Sequence, residues 1–405
     1  MRIRFPPTLS ILVCLLLWAI GGHLWSAMSW GHDSFQLTEW LINYSGGFVR
    51  RGLPGTVISF VAGWSGIQAN YLIIVFSFLC YGILVFWFLH RATRKFPAIL
   101  ILSCVVLGFP AYQESIVRKD CLGLLFLLLC LSIKHSRLPR HFSIPTINLI
   151  AIAAILSHEA FAFYGLPALI IFGHRNESPV TFHGILKRSL ALLPAVLCFL
   201  CVTRMHGTPE IAQAVNDSWL PLWKVIDPTN PNLEVPAASI QALGWSPEKG
   251  LSLGLTLLTS GIYQPAAWII LFAVSFGLIV LFIGRDTERD DASIMDSRIR
   301  VSALLLMQLI FISPLFLLGY DYGRWLFFWV ASSIMLHTKE IDAPLWTRSA
   351  VTALFQKTRA EHILSRLPAK DWYLLFFGIP VCWNIREFLI SNPVGRHLHI
   401  LWSWF

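Results

Sequence analysis

Leu9-Ser-Ile-Leu-Val-Cys-Leu-Leu-Leu-Trp-Ala-Ile-Gly-Gly-His-Leu-Trp-Ser-Ala-Met28 runs for twenty residues without a charged side chain, behind Arg2 and Arg4. A helix rises about 1.5 Å per residue, so about 20 apolar residues cross the hydrocarbon core of a bilayer. A cleaved signal peptide has a shorter apolar core and a small-residue exit site. The end of this run, His23 to Met28, contains no clear one. It reads as a retained first transmembrane helix with its N-terminus in the cytoplasm.

The rest of the chain follows suit. Its 405 residues are 56% hydrophobic, 14% aromatic and 13% charged, with mean hydropathy +0.65. Soluble domains carry roughly 25% charged residues, so there is too little polar surface here to coat a globule. Soluble-enzyme, disordered and fibrous readings fall away. Eleven spans are expected, at 9–28, 71–89, 97–110, 120–133, 144–157, 159–172, 189–203, 265–283, 301–318, 325–337 and 372–385. Several are only about 13 to 15 residues long, which requires their polar flanks to lie in a protein-lined or water-filled cavity. The pairs 97–133 and 144–172 read equally well as hairpins that only dip in. The expected fold is an all-α bundle, one integral membrane domain over 1–405. It has outer loops at 29–70 and 203–250, interfacial helices in the first of these, and an inner amphipathic segment at 337–371.

The positive-inside rule tests the orientation. With the N-terminus inside, the inner segments hold 21 Lys or Arg and the outer ones 10. That bias recurs in every inner segment and puts the C-terminus on the periplasmic side. The formal charge of +9 then reads as cytoplasmic cations against anionic lipid, not as a nucleic-acid surface. Cys198 and Cys201 form a C-x-x-C inside Leu-Cys-Phe-Leu-Cys-Val, at lipid depth, where redox or metal chemistry is not expected. Trp25, Trp30, Trp40, Trp245, Trp325, Trp372 and Trp402 lie near segment ends, as interfacial belts would have them.

Inner charges look generic, whereas outer charges fall into compact groups of mixed sign. The first outer loop carries Asp33, Glu39 and the glycine-flanked pair Arg50-Arg51. Glycine lets backbone N–H groups approach an anion, and adjacent guanidiniums grip phosphate oxygens in forked pairs. The other reading is a tight turn with both arginines on lipid phosphates. A second group, Glu114 to Asp120, sets Glu114 and Arg118 four apart, a salt bridge if helical, and leaves Lys119 and Asp120 in need of partners. The third, His158-Glu159, is isolated between apolar runs, where such side chains face a cavity or a partner. The fourth, Gly319-Tyr-Asp321-Tyr-Gly-Arg324-Trp325, offers aromatic faces beside a carboxylate and a guanidinium, a mix that suits sugars. Its other reading is a turn pinned by an Asp321–Arg324 bridge.

If these groups meet at one outer mouth, they suit a substrate with a lipid tail, an anionic head and hydroxyls, such as a polyprenyl-phosphate or polyprenyl-diphosphate sugar. Sugar transfer needs a carboxylate to take the acceptor's proton and cations to stabilise the departing phosphate. Asp33 is the first choice of base, with Glu39 and Glu159 behind it. Arg50, Arg51 and Arg324 are the choices for the phosphate clamp, with Arg118, Lys119, His158 and Asp321 as further substrate contacts. The scheme requires no metal and no cofactor.

The acid-bearing first outer loop and the polar elements at many helix mouths resemble the glycosyltransferase-C superfamily. The size, the eleven spans and Tyr44-Ser-Gly-Gly-Phe-Val-Arg-Arg-Gly-Leu53 also resemble bacterial surface-polysaccharide assembly proteins, O-antigen polymerases among them. The likeness is architectural over most of the chain and motif-like only at about 43–55. From the superfamily it carries over Asp33 alone, as the loop-one acid, without the Asp-Asp or Asp-Glu pair such enzymes often show. The resemblance implies a bacterial inner-membrane enzyme acting on a lipid-linked glycan, in contact with membrane lipids and with other polysaccharide-assembly proteins. The rival class is a transporter or flippase, in which short, Gly- and Pro-interrupted spans surround a midplane site.

Overall fold

A computed structural model describes residues 6–175, 180–205, 207–259, 265–285, 291–319, 321–358, 362, 364, 366–380 and 391–402. Helices dominate them. Two residue pairs depart from the all-α expectation: Gly173–His174 (β1) pairs antiparallel with Ile341–Asp342 (β2).

The first helix, α1 (Pro7–Met28), covers the expected span. The first outer loop holds two helices, α2 (Phe35–Trp40) and α3 (Gly52–Ser65). Only Gly52, Pro54 and Gly55 of α3 are buried, while Val57, Phe60 and Trp64 are exposed. That suits a helix lying at an interface, as expected. Next come α4 (Ala69–Arg91), α5 (Ala98–Leu102), α6 (Gly108–Tyr112), α7 (Asp120–Lys134), α8 (Arg140–Ser157) and α9 (Phe161–Ile170). The helices α10 (Phe182–Ala191) and α11 (Leu193–Arg204) lead to the second outer loop. This folds as α12 (Pro209–Ser218), α13 (Leu220–Ile226) and α14 (Ala238–Gln241). The chain ends with α15 (Pro247–Thr259), α16 (Pro265–Phe282), α17 (Asp291–Leu318), α18 (Tyr322–Thr338), α19 (Leu345–Thr358), α20 (Trp372–Phe376) and α21 (Pro393–Trp402).

Among the described residues, length and composition alone qualify four helices to cross a membrane: Pro7–Met28, Ala69–Arg94, Arg140–Ser157 and Ala292–Leu318. The pair α10–α11, bent by 68°, makes a fifth if it is one span. Pro194, in the first turn of α11, supplies no N–H to continue α10. The remaining expected spans are shorter or broken. Segment 97–110 splits into α5 and α6 around Ser103, whose hydroxyl bonds Leu100 O at 2.8 Å and whose carbonyl accepts from Gly108 N at 2.8 Å. Every residue from Ile99 to Tyr112 is buried, and non-helical backbone at membrane depth is stable only where protein encloses it. Of segment 372–385, α20 covers five residues; 381–385 lie outside the described residues, as do Arg359 and Ile363 of the inner amphipathic segment.

One helix organises the core. Every residue of α18 from Gly323 to His337 is buried, against α17, α7 and α9. A second, smaller core lies under the outer loops, where Leu37, Trp40, Val49, Val215, Trp223 and Ile240 pack together. Trp25, Trp372 and Trp402 are exposed, as belt residues should be. Trp40 and Trp325 are instead buried, and each carries a cation on its face.

Candidate functional site

Members of all four outer-face groups come together in one connected ionic network at the N-terminal end of α18, without Asp33 and Glu114. Its base is Arg324, in the first turn of that helix. Arg324 Nε donates to Asp120 Oδ2 at 2.8 Å and Nη1 to Asp321 Oδ2 at 2.7 Å. Asp120 opens α7, so this bridge ties two core helices at the same end. Both Arg324 and Asp120 are 2% exposed. Arg118 Nη1 shares Asp321, at 3.1 Å, and its guanidinium lies over the Phe35 ring.

Glu39 reaches the network from α2, where Leu37, Thr38, Glu39 and Trp40 are all buried. Arg51 reaches it from the start of α3 in a left-handed conformation, φ 64. From there Arg51 donates to Glu39 Oε1 at 3.1 Å through Nη1 and to Glu159 Oε2 at 2.8 Å through Nε, while Nη2 holds the other oxygen of Glu159. His158 and Glu159 occupy the break between α8 and α9, with His158 extended. His158 Nδ1 accepts from Ala160 N at 3.2 Å, and Nε2 lies 3.4 Å from Arg324 Nη2 and 3.6 Å from Glu39 Oε1. Lys119 donates to the Arg51 carbonyl at 3.4 Å and sits over Trp40.

Burial and charge set the ionisation states. Burial acts to raise Glu39, but Arg324, Arg51, His158 and Arg118 overcome it and hold the carboxyl well below its usual range. Glu159 is held down likewise, burial being outweighed by Arg51. Burial, then the charge of Arg51, pushes the His158 imidazole down to about 3, so it is neutral near pH 7. Burial lowers Lys119 to about 7, against the pull of Glu39. Five basic side chains thus face four carboxylates: Arg50, Arg51, Arg118, Lys119 and Arg324 against Glu39, Asp120, Glu159 and Asp321.

The compensation is uneven. Arg50 touches Glu159 only at 3.7 Å, donates to Ala242 O at 3.0 Å, and keeps a buried Nε with no hydrogen-bond partner. Glu39 Oε2 is likewise buried without a hydrogen bond. Arg50, Arg51, Glu159 and Asp321 are 18–29% exposed and form the open side; Glu39, Lys119, Asp120 and Arg324 form the closed floor. α3, which begins directly after Arg51, exposes Val57, Phe60 and Trp64. Among the described residues, no group of His, Cys, Asp and Glu is placed to hold a metal ion.

Asp33 lies outside this network. Its side chain is 80% exposed, accepts from Asn230 at 3.2 Å, and neighbours His32 Nδ1 at 3.3 Å. Glu114 also leaves the group: segment 113–119 is not helical, Glu114 has φ 50, and its carboxylate pairs with Arg396. The Asp321–Arg324 bridge forms as read from the sequence, but Arg118 and Asp120 extend it into the core. Tyr320 lies outside the described residues. The one network member not chosen as a site residue, Asp120, was signalled by its charge at the head of an apolar helix.

The family described as "Uncharacterised membrane protein Rv1490" matches residues 9–237. No curated protein matches the chain, and no solved structure matches it. The matched segment carries eight of the ten network residues, all but Asp321 and Arg324. This is a membrane-protein family, as the composition requires, and its description names neither a glycosyltransferase nor an O-antigen polymerase. With more than half of its length matched, the chain belongs to the Rv1490 family of integral membrane proteins.

Proposed function

We propose that the network binds the phosphate of a polyprenyl-phosphate-linked sugar at the periplasmic face of a bacterial inner membrane and transfers that sugar to an acceptor hydroxyl. The observation that carries this reading is the surplus cation. Arg50, on the open side, has Glu159 no nearer than 3.7 Å and a buried Nε without a hydrogen bond. A half-buried cation with incomplete partners favours an anion that completes them. An anion delivered by a lipid tail arrives from the side where α3 exposes Phe60 and Trp64.

In this scheme Glu159 takes the proton of the acceptor hydroxyl, the new C–O bond forms at the anomeric carbon, and the phosphate leaves with the electron pair. Arg50 and Arg51 stabilise the charge developing on it. Glu159 is preferred to Asp33 because it shares the network with the clamp and has an open face. A second reading, transport or flipping of the same lipid, is favoured by a further ionic network at the opposite end of α18.

The test uses the full chain in liposomes containing a polyprenyl-phosphate-linked hexose. The wild type should consume the lipid and transfer its sugar. Arg50→Ala should lose donor binding, and Glu159→Gln should bind donor without transfer. Movement of donor between leaflets without consumption establishes the second reading. A wild type that neither binds nor moves the donor, or an Arg50→Ala variant that equals it, overturns both.

A further inference from the structure

The far end of α18 holds a second network, independent of the first. Arg324 and His337 are thirteen positions apart, about 20 Å along the helix. Past His337 the chain turns through Glu340, a non-glycine residue at φ 57. Among the described residues only Arg51, Glu114 and Glu340 combine a side chain with a positive φ, and such backbone outliers collect at ligand clamps and active sites. The turn directs the Glu340 carboxylate onto Lys95 and leaves it 3.6 Å from Arg175 Nη1. Arg175 is fixed through its backbone: the β1–β2 pairing continues in a bond from Arg175 N to Glu340 O at 2.8 Å. From α17, Arg300 pairs with Asp296 at 2.6 Å and with Asp342; from α19, Arg348 reaches Asp342 at 3.3 Å and Asp296 at 3.4 Å.

Lys95, Arg175, Asp296, Arg300, Glu340 and Asp342 line a cavity of about 270 Å³ whose lining residues are all polar, with Ser293, Ser297 and His337 completing it. At about 30 Å³ per water that is room for about nine waters, more than a lone phosphate fills. Lys95, Arg300 and Asp342 form a floor 11–13% exposed; Arg175, Glu340 and Asp296 form a mouth 38–49% exposed. The lining itself is balanced, with Lys95, Arg175 and Arg300 against Asp296, Glu340 and Asp342; Arg348, which pairs with Asp342 and Asp296 from outside it, makes four cations to three carboxylates among the described residues. Both contacts of the Arg175 guanidinium are long, 3.6 and 3.8 Å.

We propose that this cavity binds a phosphate-bearing, hydroxyl-rich group, a sugar phosphate or the phosphopolyol head of a lipid. Arg175 and Lys95 take the phosphate, while Asp296 and the two serines take hydroxyls. An apolar ligand finds little surface here, and a simple cation meets no excess of carboxylates.

The test is calorimetry on the full chain in phosphatidylcholine nanodiscs, with glucose 1-phosphate as probe and glucose as control. Glucose 1-phosphate should bind saturably and glucose should not. Arg175→Ala, a half-exposed position whose loss should leave the melting temperature unchanged, should weaken binding about tenfold or more. Repeating the titration in phosphatidylglycerol nanodiscs tells the source. Competition identifies a lipid head, its absence a soluble sugar phosphate, and both uphold the site. No saturable binding, equal binding by Arg175→Ala, or a loss confined to Arg50→Ala in the outer network overturns it. The last outcome leaves the outer reading standing, so the two are separable.

Discussion

Arg51 and Glu159, 108 positions apart in the chain, form a two-pronged ion pair, and Arg51 makes it from a left-handed backbone. The pair joins the first outer loop to the break between α8 and α9. Removing its cation strips the partner from Glu39, which is fully buried, as well as from Glu159. Arg51→Ala should therefore approach the loss of about 3–5 kcal/mol that follows when a buried pair loses one member. Arg51→Gly should lose about 1 kcal/mol less than Arg51→Ala, because glycine adopts this φ without steric cost. Thermal unfolding of the two variants in one detergent measures both differences.

Glu39 makes the network acid-labile. Its folded carboxyl is held below the 4.5 of the unfolded chain by Arg324, Arg51, His158 and Arg118, in spite of burial. A lowered acid contributes stability that is complete above the unfolded value and is lost as pH falls below it. The wild type should lose melting temperature below about pH 4.5. Glu39→Gln should start lower and fall less steeply over the same interval. Parallel curves for the two proteins from pH 6 to pH 3 would show that Glu39 is not held as an anion.

The bilayer class and the identity of the charged groups were legible because both are written locally: apolar runs need a membrane, and isolated charges at their ends need partners. Which charge meets which was not. Glu114 and Arg118 have helical spacing, yet Ser115 N bonds Pro110 O at 2.8 Å and the chain turns there, sending Glu114 to Arg396 and Arg118 to Asp321. Asp33 reads as the first choice of base, the loop-one acid that the resemblance carries over, but spacing carries no depth. Asn230, from the second outer loop, holds Asp33 at the surface while α2 buries Glu39. The inner charges looked like ordinary cytoplasmic cations. Only the approach of α17, the end of α18 and the turn through Glu340 and Asp342 to Lys95 and Arg175 makes a cavity of them.

Lys119 should give stability the opposite slope, at higher pH. Burial lowers its ammonium from 10.5 to about 7. Between those values the unfolded chain holds a proton that the folded chain has released, so unfolding becomes harder as pH rises. The wild type should gain stability from pH 7 to about pH 10, and Lys119→Met, with no proton to lose, should not. Over the same range the network passes from five cations to four, which balances its four carboxylates. Affinity of the outer site for a phosphate-bearing lipid should therefore fall above pH 7 in the wild type and hold steadier in Lys119→Met. A wild type as flat as the variant in both measurements would place the proton elsewhere.

Asp120 and Arg324 form the most deeply enclosed bridge of the outer network. Two ions taken out of water are costly even when paired, so such a bridge adds little net stability, while either partner alone is strongly unfavourable. Arg324→Met leaves Asp120 without its fork and Asp321 with Arg118 alone. Asp120→Asn leaves Arg324 with Asp321 as its close carboxylate. Each single variant should lose about 3–5 kcal/mol. The double variant should lose much less than their sum, because it removes the stranded charge along with its partner. A double-mutant cycle of unfolding free energies reads this directly: a coupling of 1–3 kcal/mol, roughly, is expected for residues in one network. Simple additivity would mean that Arg324 is held mainly by Asp321. Donor binding separates structure from function in the same proteins. If the double variant refolds and still fails to bind lipid-linked phosphate, Arg324 serves the site itself as well as the packing of α18 against α7.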